Sequence, residues 1–205
     1  MTTTGLPLHR RRSIRLPGYD YALAGAYFVT LTAQGQSALF GEIIGGEMRA
    51  NDAGQMVARW WAELSHRFTE VETDVYTVMP NHFHGIVVIN EPDAPPYPVG
   101  ADLCVCPNMD GNKEGGHVGP PLPTLIQWFK TMTTNEYMRC VKSKSWPPFE
   151  RRLWQRNYYE HIIRNEDSLN RIRAYISNNP AQWLNDTENL ANASLHVRGY
   201  ATAKG

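Results

Sequence analysis

The chain has 205 residues, enough for one domain with a well-buried core, and we predict a single domain over residues 1–205. Its Lys and Arg residues, 20 in all, balance 20 Asp and Glu residues, so no global charge attracts the protein to nucleic acid. The sequence has no apolar run of membrane-spanning length and no apolar signal-peptide core near its start. We therefore expect a cytoplasmic protein with no membrane partner.

Strands and one helix are predicted in the first part of the chain. Aromatic and β-branched residues mark a strand, and Gly45-Gly46 has the composition of a tight hairpin turn. Apolar residues then recur at spacings of three and four, which predicts a helix capped by Asn51 or Asp52. In order, these elements are a strand over residues 26–32, a hairpin over residues 39–49 and a helix over residues 53–64.

Two histidines one residue apart, His82 and His84, lie inside the apolar run that follows. Residues 75–79 and 82–89 predict two strands joined at the turn dipeptide Pro80-Asn81. Because side chains alternate across a strand, both imidazoles project from one face. Neutral imidazole is the commonest protein metal ligand, so the pair is a candidate metal site. A pair of hydrogen-bonded core histidines is the alternative.

Residues 91–123 contain eight prolines and five glycines, far too many for a regular element. We predict a loop or a disordered insertion there. Cys104 and Cys106 lie within it, and together with Cys140 they show no disulfide-framework spacing, so we interpret all three as reduced thiols. Helical order is expected to resume at Thr124, which would begin a capping box.

The last third of the chain predicts one more helix. A short edge strand is expected over residues 149–155, residues 158–163 are ambiguous, and residues 166–179 form a helix with Asn165 as its cap. From about residue 186 we expect a flexible tail.

This last helix offers two polar side chains on its apolar stripe. At about 100° per residue, Tyr175 and Asn179 share one face, and residues four apart are neighbours on a helix. A phenol and an amide would therefore reach the same partner. An ordinary core tyrosine with a capping asparagine explains the pattern as well.

Basic residues are unevenly distributed along this neutral chain. Residues 139–173 carry nine cations against four anions, a balance of nine minus four, or +5. Such a segment predicts a local phosphate-binding surface, although a solvated charged face is an equal alternative.

Four ordered motifs carry a family resemblance. Residues 78–87 read Val-Met-Pro-Asn-His-Phe-His-Gly-Ile-Val, a histidine-hydrophobe-histidine strand. The further motifs lie at residues 11–21 with 25–30, at residues 153–155 with 159–165, and at residues 175–180. Over roughly residues 10–185 the chain resembles the REP-associated tyrosine transposases, which are single-tyrosine transposases of the HUH (histidine-hydrophobe-histidine) type similar to insertion sequence 200.

The resemblance implies an α+β fold, with a ferredoxin-like antiparallel sheet and helices packed on one side. It also implies that His82 and His84 are metal ligands, that Asn179 is a third ligand through its amide oxygen, and that Tyr175 is the nucleophile. A divalent Mg²⁺ or Mn²⁺ ion suits such a set, and no nucleotide cofactor is expected. Tyr158 and Tyr159 also lie in matching late motifs, but neither shares a helical face with Asn179.

The implied activity is metal-dependent cleavage and rejoining of single-stranded DNA near hairpins, at REP-like repeats or insertion-sequence ends, through a 5′-phosphotyrosine. The partners would be single-stranded or hairpin DNA, bound by a monomer or a homodimer. The cations that would bind this DNA are Arg10, Arg11, Arg12, Arg15, Lys130, Arg151, Arg152, Arg156 and Arg164.

Two other functions fit the same sequence. A host-adapted, non-catalytic DNA-binding protein derived from such a transposase would keep the basic residues without needing the metal site. A zinc hydrolase that activates water would need a carboxylate or a third histidine, for which Glu160 and His161 are the candidates. Only the tyrosine enzyme would form a covalent adduct with DNA.

Overall fold

The structure is a computed structural model that describes residues 19–91, 120–186 and 188–189. Two short 3-10 helices, Gln34–Gln36 and Pro180–Asn185, accompany the main elements. Those elements are β1 (Gly25–Thr32), β2 (Gly41–Ile44), β3 (Glu47–Ala50), α1 (Asp52–Arg67), β4 (Val71–Val78), β5 (His82–Ile89), α2 (Leu122–Lys144), β6 (Tyr159–Ile163) and α3 (Glu166–Asn178).

Four strands form one antiparallel sheet in the order β4-β5-β1-β6, and β2 and β3 form a separate hairpin. Without that hairpin the chain order is β-α-β-β-α-β, the ferredoxin-like arrangement. The predicted α+β class is thus confirmed. Helices α1 and α2 pack on one face as expected, and α3 covers the opposite face with its own apolar cluster.

Strand β5 is buried on both faces, and its alternation divides the sheet into two chemical sides. Phe83 packs against Trp61 of α1 and Phe129 of α2, with ring centroids 4.7 and 5.5 Å away. His84 and Ile86 face α3 instead. The fold therefore places the histidines between the sheet and α3.

Several predicted local signals are present in the structure. The Gly45-Gly46 turn joins β2 and β3, and the Asn51 side chain caps α1 by accepting from Gly54 N at 3.0 Å. Asn165 caps α3 in the same way, accepting from Ser168 N at 2.8 Å. Both caps satisfy a backbone donor that the first helical turn leaves free.

Two predicted local features are wrong. Helix α2 begins at Leu122 with Pro121 at its N-cap position and no side-chain cap, so Thr124 forms no capping box. Residues 149–155 form no strand apart from an isolated bridge between Trp154 and Ala33. Arg151 there has a φ of 61°, which interrupts an extended chain. The ambiguous residues that follow form β6.

Some predictions fall outside the described residues. These are Arg10, Arg11, Arg12 and Arg15, and nearly all of the insertion at 91–123, including Cys104 and Cys106. Cys140 is a buried free thiol, as predicted. Among the helices that the structure describes, none has the length and apolar character required to cross a membrane.

Candidate active site

His82 and His84 begin β5 and lie next to each other under α3. They are 0% and 3% exposed, and their ring centroids are 4.5 Å apart. Across the ladder they oppose Thr32 and Thr30 of β1, in the middle of the sheet. Two imidazoles are thereby fixed on a rigid element, which is the preorganisation that a metal site needs.

Hydrogen bonds set the orientation of both rings. His82 Nδ1 lies 2.9 Å from Asn81 Oδ1, an acceptor only, so Nδ1 carries the proton and Nε2 keeps its lone pair. The Asn81 amide nitrogen confirms this orientation because it donates to the carbonyls of Gln36 and Glu188. His84 Nδ1 lies 2.8 Å from the Thr30 hydroxyl, which leaves its Nε2 towards α3. Such outer partners are typical of metal-binding histidines.

A carboxylate absent from the sequence prediction completes a cluster with the two histidines. Asp186 Oδ2 lies 3.8 Å from His82 Nε2, and ligand atoms of His82, His84 and Asp186 all lie within 4.8 Å of one another. The short 3-10 helix Pro180–Asn185 follows α3, and Asp186 is its C-cap residue. This cluster can hold a metal ion.

Asp186 was missed because residues from 186 were expected to form a flexible tail. Residues 186, 188 and 189 instead pack against the site: Asn81 Nδ2 donates to Glu188 O at 2.7 Å, and Gln36 Nε2 to Glu188 Oε2 at 3.0 Å. One signal was available in the sequence. The run after Pro180 contains Trp183 and Leu184 and lacks glycine, a composition that can pack instead of remaining extended in solvent.

Asn179 lies at the end of α3 and turns its amide into the same space. It is 2% exposed, and within the described residues neither its Oδ1 nor His82 Nε2 has a hydrogen-bond partner. Buried polar atoms are rarely left unpaired, and each instance calls for an explanation. A divalent cation held by the two imidazoles, Asp186 and the Asn179 oxygen would satisfy both atoms, so these residues fit a metal.

Burial keeps both imidazoles neutral. It lowers the pKa of His82, an effect that Asp186, Glu188 and Asn179 oppose but do not overcome. The pKa of His84 is held well below its ordinary value of 6.5, first by burial and then by His82. Neutral imidazole is the form that binds metals.

Tyr175 presents its phenol to this cluster from α3. Its hydroxyl lies 3.4 Å from His84 Nε2, and the side chain is 44% exposed, so solvent reaches it. Burial raises the pKa of Tyr175, Asp186 and Glu188 raise it further, and Asn179 lowers it. The helix is tied to β4 by Arg173, whose Nη2 and Nε lie 2.6 and 2.8 Å from Asp74 Oδ2.

The other late tyrosines have different surroundings. Tyr159 is 54% exposed and packs edge-on against Phe28, with ring centroids 6.2 Å apart. Tyr158 is half-buried, and its ring centroid lies 5.3 Å from Lys130 Nζ. Glu160 points to the opposite face of the sheet from the histidines, because alternate residues of β6 face opposite sides. It is therefore no ligand for a hydrolase site.

The predicted DNA-binding cations are dispersed. Arg151, Arg152 and Arg156 lie beside α2, whereas Arg164 lies beyond the far end of β6, about 17 Å along the strand from Tyr159 at about 3.3 Å per residue. Lys130 donates to the carbonyls of Gln155, Arg156 and Asn157, so it supports a loop.

Comparison with known proteins gave one sequence relative and a fold likeness, and no family model matches the chain. The relative is an uncharacterized protein of Haemophilus influenzae, 36% identical over 188 residues, which cover 87% of this chain and 93% of the relative. The fold is similar to that of a REP-associated tyrosine transposase solved bound to a REP hairpin, with TM-score 0.50 and 16% identity over 83% of this chain and 73% of that one. At that identity the likeness concerns the fold alone. By the extent of the sequence match, the chain belongs to the same family as the Haemophilus influenzae protein.

Proposed function

We propose that the protein is a metal-dependent DNA strand transferase that cleaves and rejoins single-stranded DNA near hairpins, with Tyr175 as the nucleophile. His82 and His84 would hold a Mg²⁺ or Mn²⁺ ion, together with Asn179 and Asp186. Asp186 extends the ligand set that the sequence predicted.

One observation carries the proposal: a solvent-accessible phenol lies against a buried group of metal-ligand atoms. The Tyr175 hydroxyl is 3.4 Å from His84 Nε2, and the cluster of His82, His84 and Asp186 lies behind it. A purely structural pair of core histidines would not leave His82 Nε2 and the Asn179 oxygen unpartnered. The solved transposase whose fold this chain shares was bound to a hairpin, which favours DNA as the substrate.

The residues divide the chemistry between them. A bound divalent cation would withdraw negative charge from the non-bridging phosphate oxygens and hold the phosphate in place. Tyr175 Oη would form a bond to phosphorus while the bond from phosphorus to the 3′ oxygen breaks. The phenol proton passes to solvent at the exposed side of the ring, and the departing oxygen takes a proton to become a 3′-hydroxyl. The reverse attack by another 3′-hydroxyl rejoins the strand.

Asn179 contributes on both sides of the site. Its side chain lowers the pKa of Tyr175, which favours the phenolate, and its buried oxygen is available as a ligand. One turn of helix separates the two residues, so any displacement of α3 moves nucleophile and ligand together. Metal binding would therefore be coupled to the approach of the phenol.

Trapping a covalent adduct tests the proposal. Wild-type protein incubated with Mn²⁺ and a labelled DNA hairpin carrying single-stranded flanks should form a protein-DNA adduct that survives denaturation. Tyr175→Phe should form none while binding the hairpin normally, and the matched Tyr159→Phe should still form it. Mass spectrometry of the trapped peptide should place the phosphate on Tyr175.

Three outcomes would contradict the proposal in different ways. An adduct on Tyr158 or Tyr159 would reassign the nucleophile. Cleavage without any adduct would favour metal-activated water, for which the Asp186 carboxylate beside two histidines is a suitable ligand set. Hairpin binding with no cleavage in any divalent metal would favour the non-catalytic DNA-binding protein.

A further inference from the structure

A second polar site lies away from the histidines, in a groove between α2 and the loop of residues 151–156. Its volume is about 470 Å³, within the range of ligand clefts. Four cations and several amides and hydroxyls surround it, and no acidic residue does. The lining residues are Gln127, Lys130, Thr131, Thr134, Asn135, Arg151, Arg152, Leu153, Trp154, Gln155 and Arg156.

The three arginines of this groove carry uncompensated charge. Arg151, Arg152 and Arg156 are exposed, and none forms an ion pair with another described residue. Among the other described arginines, Arg49, Arg59 and Arg173 have acidic partners. Three unpaired guanidinium groups around one concave surface favour a ligand with several negative charges, since each can donate to a phosphate.

The loop that carries these arginines is held in place by α2. Lys130 Nζ donates to Gln155 O at 2.9 Å and to the next two carbonyls at 3.4 Å each. Trp154 Nε1 donates to Thr133 Oγ1 at 2.9 Å, and the indole is buried. The loop is thus fixed at two points, which preorganises its arginines and reduces the entropy lost on binding.

The loop of the groove contacts the end of β1, the strand that pairs with the histidine strand β5. Gln155 N donates to Thr32 O at 2.8 Å, and Thr32 is the residue opposite His82 in the sheet. Gln34 N also donates to Leu153 O at 2.8 Å. Because neighbouring strands are about 4.8 Å apart, the loop begins a short distance from the metal ligands. The groove lies on the α2 side of the sheet and the histidines lie on its α3 side, so a DNA strand would have to pass around the end of β1 to occupy both.

We propose that this groove binds the sugar-phosphate backbone of the single-stranded DNA segment that flanks the cleaved phosphate. The inference rests on the proposed function for the identity of the polymer. The groove has the volume of a small-ligand cleft, which can hold a nucleotide or two. The arginines would bind phosphates and contact no base edges, so electrostatic attraction alone would position the segment.

Equilibrium binding separates the groove from the chemistry. The experiment uses the full chain with Tyr175→Phe, so no adduct forms, and compares two labelled DNA hairpins, one blunt and one with a single-stranded extension. Replacing Arg151, Arg152 and Arg156 by Gln should weaken binding of the extended hairpin about tenfold or more and leave the blunt hairpin within about twofold. The slope of log affinity against log salt should fall by about 2, from three phosphates at about 0.7 each.

A charge-matched variant on helix α2, outside the groove, provides the control. Arg139→Gln with Lys142→Gln and Lys144→Gln removes three exposed cations from α2 outside the groove and should change neither affinity nor slope. An equal loss of affinity in this control would show that the DNA responds to the overall positive charge of the surface, which would overturn the proposal. If the groove variant lost as much affinity for the blunt hairpin, the groove would bind the stem. If it bound both hairpins as tightly as the parent protein, the groove would bind no DNA. Either result would overturn the proposal.

The three single substitutions guard against a folding artefact in the triple variant, and each should lower the salt slope by about 0.7. The same extended hairpin serves for adduct trapping with wild-type protein. Absence of an adduct would refute the proposed chemistry without altering the binding comparison. A groove that is not used would leave adduct formation intact, so the two failures are distinguishable.

Discussion

The neutral, buried His84 should make the metal-free protein unstable in mild acid. Burial and the neighbouring His82 hold the pKa of His84 well below 6.5 in the folded state, whereas the unfolded chain has the ordinary value. Above pH 6.5 neither state binds the proton and stability is unaffected. As the pH falls below 6.5, His84 becomes protonated in the unfolded chain but stays neutral in the folded protein, so the free energy of unfolding decreases.

The size of this effect follows from linkage. Each such group removes roughly 1.4 kcal/mol per pH unit, until the pH reaches the folded-state pKa. Every pH unit below 6.5 over which the folded His84 stays neutral therefore removes a sizeable part of an ordinary domain's stability. His82 should contribute less, because the Asp186 carboxylate lies 3.8 Å from its Nε2 and offsets part of the cost of charging it.

Urea denaturation at half-unit pH intervals in the presence of a chelator measures the effect. His84→Gln should flatten the decline below pH 6.5 more than His82→Gln does, and the exposed His66→Gln should leave it unchanged. Saturating Mn²⁺ should raise stability at pH 7.5 and steepen the decline, because the metal competes with protons for the same nitrogens. An equally steep decline in His84→Gln would refute the account, since it would locate the titrating group elsewhere.

Two further predictions concern the elements that position the site. An added Cβ at Gly85 would lie 2.7 Å from Trp61 and 2.8 Å from Phe83, so Gly85→Ala should cost about 1–3 kcal/mol in urea denaturation. Trp61→Phe should suppress part of that penalty, and strict additivity of the two changes would contradict the steric argument. Asp74→Asn should loosen α3 and slow adduct formation several-fold without weakening hairpin binding. The exchanged pair Asp74→Arg with Arg173→Asp should restore part of the rate; no recovery would show that the ion pair does not position the helix.

The elements that could be predicted from sequence are those with a strong local signal. Alternation in β5 fixed which face carries His82 and His84, and the asparagine caps fixed where α1 and α3 begin. The helical stripe predicts that Tyr175 and Asn179 share one face of α3, without reference to any tertiary contact. These inferences need only the period of a strand or helix, which the neighbouring residues determine.

What could not be predicted depends on partners distant in the chain. The sequence of the loop before β6 predicts an extended strand. In the structure, Lys130 of α2 donates to three of its carbonyls, and Arg151 has a positive φ. Asp186 enters the site through the short 3-10 helix Pro180–Asn185 that follows α3. Neither arrangement leaves a periodic trace in the sequence, since both depend on contacts between residues far apart in the chain.

Asn81 connects His82, which could be predicted from the sequence, with the segment that carries Asp186, which could not. Its oxygen accepts from His82 Nδ1 and so fixes the tautomer that exposes Nε2. Its nitrogen donates to Glu188 O, and Glu188 lies two residues beyond Asp186. The Asp186 Oδ1 in turn accepts from Glu188 N at 2.7 Å. One amide thus orients a histidine from the strand and anchors the segment that brings the carboxylate. Aspartate at this position would keep the acceptor but lose both donors, so His82 would stay oriented while Asp186 lost its support. The residue just before the two histidines is therefore part of the candidate metal site, although it offers no ligand atom.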